Sequence, residues 1–501
     1  MGQFNPYLWK IYANGEGKEA IGRFRSFIEG DFEGYDDFIA SLMEAYCPDR
    51  EWIDDIRESI LNNLDQLHDR DGEETAPYGQ DLTTGDMILE YYQDYLDEYK
   101  SQAQAHWRFS IDLACISTFL AWDYPQSFIP YYFPACFNVV QRVAEYFGIE
   151  LPAVPSKGQK EKRVLFYAEL SDVLNDFREE NGLEPEELWA LLYDYGPKVV
   201  GGTDWVMPAE ELKDAHRVFV FGTAEWASRR EPKAGQLFMW QGSPDMKPGD
   251  IAVLYQWKPV SSFVSIWRAV SVGYNDPLFR HHRVVCYSAV CGIPAVSWNE
   301  LKADEIFSQT PLVRSKMTQM DGARMKNSEY MHLLEMAAKN GKLPDNVPEM
   351  PVYSELEAPE MKLERDVEVF YLEGLLKRLG WDDEDYERQI PLRGGRQNRV
   401  FPDYVINYRP TGPEAEIVLE AKLTIPSERQ AKHDKGQAKA YARLLRARAL
   451  VLVSKEGIWL AESYDDFDKM TAYTWGELQD ADLFDEVYQV IGKGNKGKKK
   501  H

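Results

Sequence analysis

Two carboxylates and a lysine stand at a spacing suited to phosphodiester hydrolysis. Pro402-Asp403 is followed by Glu420-Ala421-Lys422, with Glu420 seventeen residues after Asp403. Between them Tyr408 to Pro413 is rich in turn-forming residues. Asp403 is therefore expected to open one strand, with Glu420 and Lys422 late in its neighbour. Two residues apart on a strand, Glu420 and Lys422 leave by the same face. Carboxylates on adjacent strands can share a hard divalent cation through oxygen ligands, and the Ala421 carbonyl would add a third donor. Such an ion polarises a phosphodiester and lowers the pKa of a bound water. Lys422 would orient that water and stabilise the charge on the phosphorane. Pro-Asp and Glu-Ala-Lys are common strings singly, so their meaning depends on the elements around them.

Those elements are legible. A helix is expected over Glu364 to Leu379, ended by Gly380, with Glu364 and Glu368 one turn apart. Strands are expected near Gln389–Leu392, Tyr404–Tyr408 and Ile417–Lys422. A helix follows from about Glu428 to Leu445, then a strand Ala449–Val453 and a hairpin at Lys455-Glu456-Gly457 leading to Ile458–Leu460. Gln437 and Tyr441 sit at i,i+4 on one face of the second helix, within reach of DNA or of the lysine. Arg393, Arg396 and Arg399 precede Asp403 in a Gly-rich loop. They suit phosphate contacts at a DNA entrance, and a solvated basic loop is the equal alternative.

The ordered set of helix Glu, PD-x16-EAK and Q-x-x-x-Y resembles the PD-(D/E)XK nuclease superfamily, over roughly 120 residues from Leu363 to Glu486. It is similar in particular to the nuclease domain of type I restriction enzyme R subunits. The resemblance implies an α/β restriction-endonuclease-like fold and a Mg²⁺-dependent deoxyribonuclease, with Mn²⁺ as a substitute. It implies Asp403, Glu420 and the Ala421 carbonyl as metal ligands and Lys422 as the catalytic lysine. Gln437 and Tyr441 would lie beside it, with Glu364 or Glu368 supplying a further carboxylate.

Upstream the hydrophobic period is that of strands: Val218–Phe221, Ile251–Tyr255 behind a turn at Pro248-Gly249-Asp250, Phe263–Val272 and Arg283–Val290. A helix is expected from Ser328 to Lys339. Pro248-Gly249-Asp250, Trp267 to Pro277, Trp298 to Lys302 and Pro311 to Arg314 resemble an EVE domain of the PUA-like class, over about 125 residues. The resemblance implies a β-barrel that holds a flipped, modified base, modified cytosine first, between aromatic rings. The implied lining is Trp226, Trp240, Trp257, Trp267 and Tyr255, with Gln241 or Ser243 for the base edge. Arg229, Arg230 and Lys233 would meet the DNA backbone. Any single Trp is as readily a core residue, and at least two of the four are expected at the pocket.

Residues 1–205 read as helical, from Phe24, Phe27 and Ile28 and again from Ile53, Ile56, Ile60, Leu61 and Leu64. Gly72 to Thr84 reads as an exposed loop. Helices are expected over Tyr167 to Asn181 and Glu184 to Tyr193. Tyr131-Tyr-Phe-Pro to Phe147-Gly148 weakly resembles the helical accessory region of some modification-dependent restriction proteins. The expected organisation is multidomain α+β: a helical acidic domain at 1–155, a helical connector at 156–213, the EVE domain at 214–342, a Pro-rich linker at 343–362, the nuclease at 363–490 and a basic tail at 491–501.

Charge supports this division. The chain of 501 residues carries a net −26, which argues against nucleic acid only if it is evenly spread. Residues 1–150 hold 28 acids against 10 bases, whereas 216–340 hold 15 bases against 11 acids and 391–460 hold 13 against 7. Two locally basic segments thus lie behind an acidic front. Five cysteines without a C-x-x-C pair read as buried thiols rather than disulfides or zinc ligands. No apolar run is long enough for a bilayer, no signal peptide is evident, and no P-loop is present, so no NTP is expected. The joint expectation is a type IV-like, modification-dependent restriction endonuclease in a prokaryotic cytoplasm. It would act on double-stranded DNA with modified bases as a homodimer or higher oligomer. Two rivals stay open: a modified-base or RNA binder with an inactive nuclease fold, and a subunit of a larger defence complex that docks a protein through its acidic half.

Overall fold

Apolar residues recurring at helical spacing build the first part of the chain. The helices are α1 (Pro6–Asn14), α2 (Lys18–Ile28), α3 (Tyr35–Met43), α4 (Arg50–His68), α5 (Phe109–Asp123), α6 (Phe137–Phe147), α7 (Lys160–Glu180) and α8 (Pro185–Ala190). Asn5 caps α1 by accepting from the amides of Tyr7 and Leu8, as short polar side chains do at helix starts. Phe24 and Phe27 of α2 and Ile53, Ile56 and Ile60 of α4 are buried, whereas Leu61 is partly exposed. The structure, a computed structural model, describes residues 4–68, 109–212, 214–223, 232–279, 281–318, 320, 322–353, 361–393 and 399–495. The expected loop at Gly72 to Thr84 and the last six residues of the expected tail lie outside them. Among the described residues no helix is long and apolar enough to cross a membrane, and the five cysteines are free and buried.

The chain is a mixed α/β protein that divides into two compact units. The first comprises Met1–Leu212, Phe219–Ala323 and Pro344–Asn346. Its sheet contains β1 (Val218–Thr223), β2 (Leu237–Gln241), β3 (Ile251–Gln256), β4 (Ser262–Ala269), β5 (Tyr274–Asn275) and β6 (Arg283–Ser297). The order is β2-β6-β4-β3-β1, with β5 on β6. Register shifts between β4 and β6 bend the sheet, as bulges do. Strand β2 was not expected, because Leu-Phe-Met-Trp-Gln has no polar alternation to mark it.

Three bodies were expected at 1–155, 156–213 and 214–342. Instead one core runs from the helices into Met239, Val270, Leu278, Phe279, Val284 and Cys286 of the sheet region. Polar groups close the junction. Met239 N–H donates to Asp49 Oδ2 at 2.7 Å. Arg163, 4% exposed, donates to the carbonyls of Pro277 at 3.0 Å and Phe279 at 2.5 Å. The His282 ring meets the Pro155 carbonyl at 2.7 Å. A buried guanidinium satisfied by two carbonyls is tolerable only where the geometry is fixed.

The second unit comprises Lys213–Val218, Arg324–Leu343 and Val347–His501. It takes the helix α9 (Asn327–Asn340), which was expected to close the preceding domain. Asn327 and Ser328 at its start bond to Ala481 and Asp482 of the same unit. Part of the expected linker is also packed here. Tyr353 donates its amide to Leu478 at 3.0 Å and sets its ring 4.7 Å from that of Trp475. The remainder of that linker, 354–360, lies outside the described residues.

The expected long helix is α10 (Glu364–Val367), a π-helical turn Glu368–Leu372, and α11 (Glu373–Arg378). Gly380 at φ 83° follows its end, the left-handed closure glycine permits. Next come β7 (Tyr386–Arg388), β8 (Leu392–Arg393), β9 (Arg399–Val400), β10 (Tyr404–Ile406), β11 (Ile417–Ala421), α12 (Glu428–Leu444), β12 (Ala449–Ser454), β13 (Gly457–Glu462), β14 (Thr471–Thr474) and α13 (Ala481–Ile491). The sheet order is β14-β13-β12-β11-β10-β7, with β8 and β9 a separate ribbon. Strands β11 and β12 are parallel, and the other pairs are antiparallel. The one strand expected at Gln389–Leu392 is replaced by β7 and β8. Leu419, Ala421, Val451 and Val453 pack with Val367, Leu372, Leu375, Phe484 and Val487. Val405, Val418, Leu450 and Leu452 pack with Ala431, Ala438, Tyr441 and Ala442 of α12.

Candidate functional site

Strand register brings the acids together. Tyr404 pairs with Leu419, so Asp403 falls beside Glu420. The Asp403 amide donates to Glu420 Oε1 at 3.3 Å, and Asp403 Oδ2 accepts from the Ala421 amide at 2.8 Å. Glu420 alternates with Leu419 and Ala421, so it shares the α12 face of the sheet with Val418. Glu420 is 2% exposed. Burial, and then the charge of Asp403, push its carboxyl up to about 8, against a smaller opposing pull from Lys422. Lys422 Nζ stands 3.8 Å from Glu420 and 3.8 Å from Glu364. It donates to the Ala421 carbonyl at 3.0 Å, so in this arrangement the expected carbonyl donor is engaged by the ammonium group.

Glu364 and Glu368 differ in setting. Glu364 is about half exposed and reaches Lys422, whereas Glu368 is buried and paired to Arg365 at 3.1 Å. Burial first, then Asp403, raise the Glu368 carboxyl, and Arg365 and Tyr404 oppose the shift. Glu368 begins the π-helical turn, a local irregularity that re-aims side chains and recurs at functional sites. Three residues not singled out by the sequence brace this edge. Tyr404 donates to Glu373 at 2.8 Å, Arg388 pairs with Glu373 at 2.9 Å, and the Arg388 guanidinium lies 5.2 Å from the Tyr404 ring centre. No motif marks them, since strand register makes Arg388 and Tyr404 neighbours and helix packing brings Glu373 to both.

Gln437 and Tyr441 lie on α12, over the same face as Glu420. Gln437 Nε2 donates to the Tyr441 hydroxyl at 2.6 Å, and the Tyr441 ring belongs to the α12 core. Arg393 ends β8 and Arg399 begins β9, directly opposite one another in the ribbon. Arg396 lies outside the described residues. Among the described residues no group of three or more His, Cys, Asp or Glu side chains is arranged to hold a metal ion. The donor set nevertheless suits a hard cation: two carboxylates close enough that one is held largely protonated at neutral pH are relieved by added positive charge.

A second cluster lies in the first unit. Trp240 Nε1 and Gln241 Nε2 both donate to the Gly222 carbonyl, at 2.9 and 2.8 Å. Trp257 is half-buried near the same glycine, its amide bonded to Thr223. Ser243 is buried, and Gly322 passes close to its backbone. Tyr255 is buried between Trp257 and Phe263. Trp267 departs from the expectation. It is wholly buried with Phe221 and Phe238 around its ring and donates to Ser265 at 2.9 Å, so it fills the core of the sheet. Trp226, Arg229 and Arg230 lie outside the described residues. Lys233 is exposed, and its amide bonds to Gln236.

No protein-family model matches the chain, and no curated protein matches it. Among solved structures it is similar to Rpa0253 of Rhodopseudomonas palustris, at 16% identity over 25% of this chain and 96% of that one, with a TM-score of 0.22. It is also similar to Atu2648 of Agrobacterium tumefaciens, at 21% identity over 26% and 97% with a TM-score of 0.22. A hypothetical protein of Leishmania major follows, at 14% identity over 26% and 98% with a TM-score of 0.20.

Proposed function

We propose that the chain is a modification-dependent endonuclease, with an EVE-like reader in the first unit and a PD-(D/E)XK-like, Mg²⁺-dependent cutter in the second. The observation that carries the reading is the half-buried Asp403 beside the buried Glu420, with Lys422 Nζ 3.8 Å from Glu420. A structural core has little use for two adjoining acids, one of them pushed up to about 8, and displaced pKa values of this kind gather at working sites.

Asp403 and Glu420 would hold the cation, with Glu368 or Glu364 at its border. When bound, Mg²⁺ supplies Lewis acidity toward the phosphate and a more acidic water. The protein's own groups do the rest. Lys422 holds positive charge where the phosphorane charge develops. The Ala421 amide fixes the Asp403 carboxylate, and the α12 face places Gln437 on the same side as Glu420. Trp257 and Trp240 supply stacking surface near Gly222, worth about 1–3 kcal/mol per base, and Gln241 and Ser243 supply polar groups for a base edge. A double-strand break takes two such centres, hence two copies on the DNA.

The test is cleavage by purified protein with Mg²⁺ of matched DNAs that carry plain, methylated or hydroxymethylated cytosine. Preferential cutting of modified DNA is expected. Equal cutting would remove the reader and leave the nuclease. Selective binding without cutting in Mg²⁺ or Mn²⁺ would leave a modified-base binder.

A further inference from the structure

A cavity of about 470 Å³ opens in the first unit where the turn between α3 and α4 meets the sheet. That size suits a small organic molecule. Leu237 of β2 and Ser288 of β6 stand directly opposite one another across the strands. Both side chains therefore leave by one face of the sheet and line the cavity, together with Ile53, Val206 and Met207. The space is open rather than packed: a Cβ added at Gly235, another lining residue, would meet nothing within 4 Å. None of these residues belongs to the two clusters described above.

The walls are tied to one another without a ligand. The bond from the Met239 amide to Asp49, and a second from Gln236 Nε2 to Glu51 at 2.9 Å, join β2 to the start of α4. The 203–210 segment is pinned to the sheet region by the Met207 amide, which donates to the Val270 carbonyl at 2.7 Å. A pocket fixed in this way loses little freedom when it is filled.

Its polar groups are unused. Ser288 is 3% exposed, yet its hydroxyl makes no hydrogen bond among the described residues. Glu44, Arg50 and Glu210 also line the cavity, all three exposed, and none forms an ion pair among the described residues. One guanidinium and two carboxylates thus face the same space without neutralising each other, and a ligand of matching charges can use them. A polyanion would meet the carboxylates, and a polyamine the guanidinium. A wholly apolar molecule would strip water from all three and return nothing.

We propose that this cavity binds a small zwitterion with an apolar body, a free apolar amino acid or a dipeptide. Arg50 takes its carboxylate, in the forked geometry that suits a guanidinium. Glu44 and Glu210 take its ammonium group, and Ile53, Val206 and Leu237 cover its side chain. The Ser288 hydroxyl, able both to donate and to accept, bonds to its polar backbone.

Isothermal titration calorimetry of the full chain tests this. The probes are leucine, phenylalanine and leucyl-leucine, with leucinamide lacking the carboxylate, N-acetyl-leucine lacking the ammonium group and glycine lacking the apolar body. At least one of the first three is expected to bind about tenfold or more tightly than each of the last three, the scale of one charge-assisted contact. Arg50→Gln should weaken the zwitterion about tenfold and leave leucinamide unchanged. Glu44→Gln combined with Glu210→Gln should weaken the zwitterion similarly and leave N-acetyl-leucine unchanged. All three positions are exposed, so these variants keep the fold. No binding of any probe up to about 10 mM overturns the site. Equal binding of leucine, its amide and its acetyl form overturns the ligand class. Zwitterion binding that neither variant weakens overturns the assignment to this cavity.

Discussion

Asp403 and Glu420 are tied across the strand pair in both directions. The Asp403 amide donates to Glu420 Oε1 at 3.3 Å, and Asp403 Oδ2 accepts from the amide that follows Glu420 at 2.8 Å. Backbone bonds therefore hold together two carboxyl groups that would repel one another if both were ionised. The arrangement costs stability locally, a cost that the proposed cation would offset.

Lys422 places a positive charge 3.8 Å from Glu420. Its side chain is about one-fifth exposed, so Lys422→Met, which keeps most of the buried stem and removes the charge, is the variant that isolates the ammonium group. Nuclease activity should fall at least about a hundredfold, the scale of losing one transition-state donor, with DNA binding and melting temperature nearly unchanged. Parallel cleavage and binding assays check this. Undiminished cutting would take Lys422 out of the chemistry.

Glu420 gives a pH dependence. Its folded carboxyl sits at about 8 against a reference of 4.5, so between those values the folded chain keeps a proton the unfolded chain has released. Its contribution to stability is full below 4.5 and is lost as pH rises through 8. Glu420→Gln lacks that loss. In EDTA the variant should become progressively more stable than the wild type from pH 5 to 9, by a few kcal/mol at about 1.4 kcal/mol per pKa unit. It should also be inactive. Mg²⁺ should narrow the stability difference, because a cation favours the ionised wild-type carboxylate. Chemical denaturation at pH 5, 7 and 9 reads this directly.

The second unit was the more legible because its candidate residues are close in sequence. Pro402-Asp403 and Glu420-Ala421-Lys422 lie within one strand pair, and turn residues between them fix the register. Helix α12 and strand β12 followed from plain periodicity. The π-helical turn at Glu368 was not visible, since its residues read as ordinary helix. Arg388 and Tyr404 meet through strand pairing, and Glu373 reaches them from α11. In the first unit Trp267 and Trp257 look alike in sequence, and only burial separates a core indole from one beside Gly222. The shared core of helices and sheet was hidden for the same reason. Arg163 and Pro277 are far apart in the chain, and nothing local announces that one caps the other.

That junction carries its own titration. Asp276 is wholly buried, accepts from the amides of Leu278 at 2.9 Å and Phe137 at 3.3 Å, and is pushed up to about 7 by burial. Backbone bonds and Arg163 oppose the shift, and Tyr131, Tyr274 and Cys136 also face it. Its stabilising contribution is present below 3.8 and lost as pH rises through 7. His282, lowered from 6.5 by burial, acts in the opposite sense. Asp276→Asn should therefore remove a slope of up to about 1.4 kcal/mol per pH unit between roughly pH 5 and 6.5, whatever it does to absolute stability. Equal slopes in wild type and variant would show that Asp276 ionises normally.

Glu456 controls where the chain goes after the lysine. The Lys422 amide still bonds to the Val453 carbonyl at 2.8 Å, and the strand ends there. Glu456, in the β12–β13 turn, accepts from the hydroxyl of Thr424, two residues after Lys422, and from the Ile425 amide at 2.8 Å. Those bonds hold its carboxyl below the ordinary range against partial burial. Ile425 is 2% exposed and packs in the α12 core, so the anchor fixes the exit path of the segment bearing Lys422. Glu456→Ala should free that segment without touching the carboxylates. Turnover should drop about tenfold, the scale of a small misplacement, while KM for DNA changes less. Glu456→Gln keeps one acceptor for the Ile425 amide and should recover most of the rate. A loss of DNA affinity with unchanged turnover would instead place Glu456 at the DNA surface.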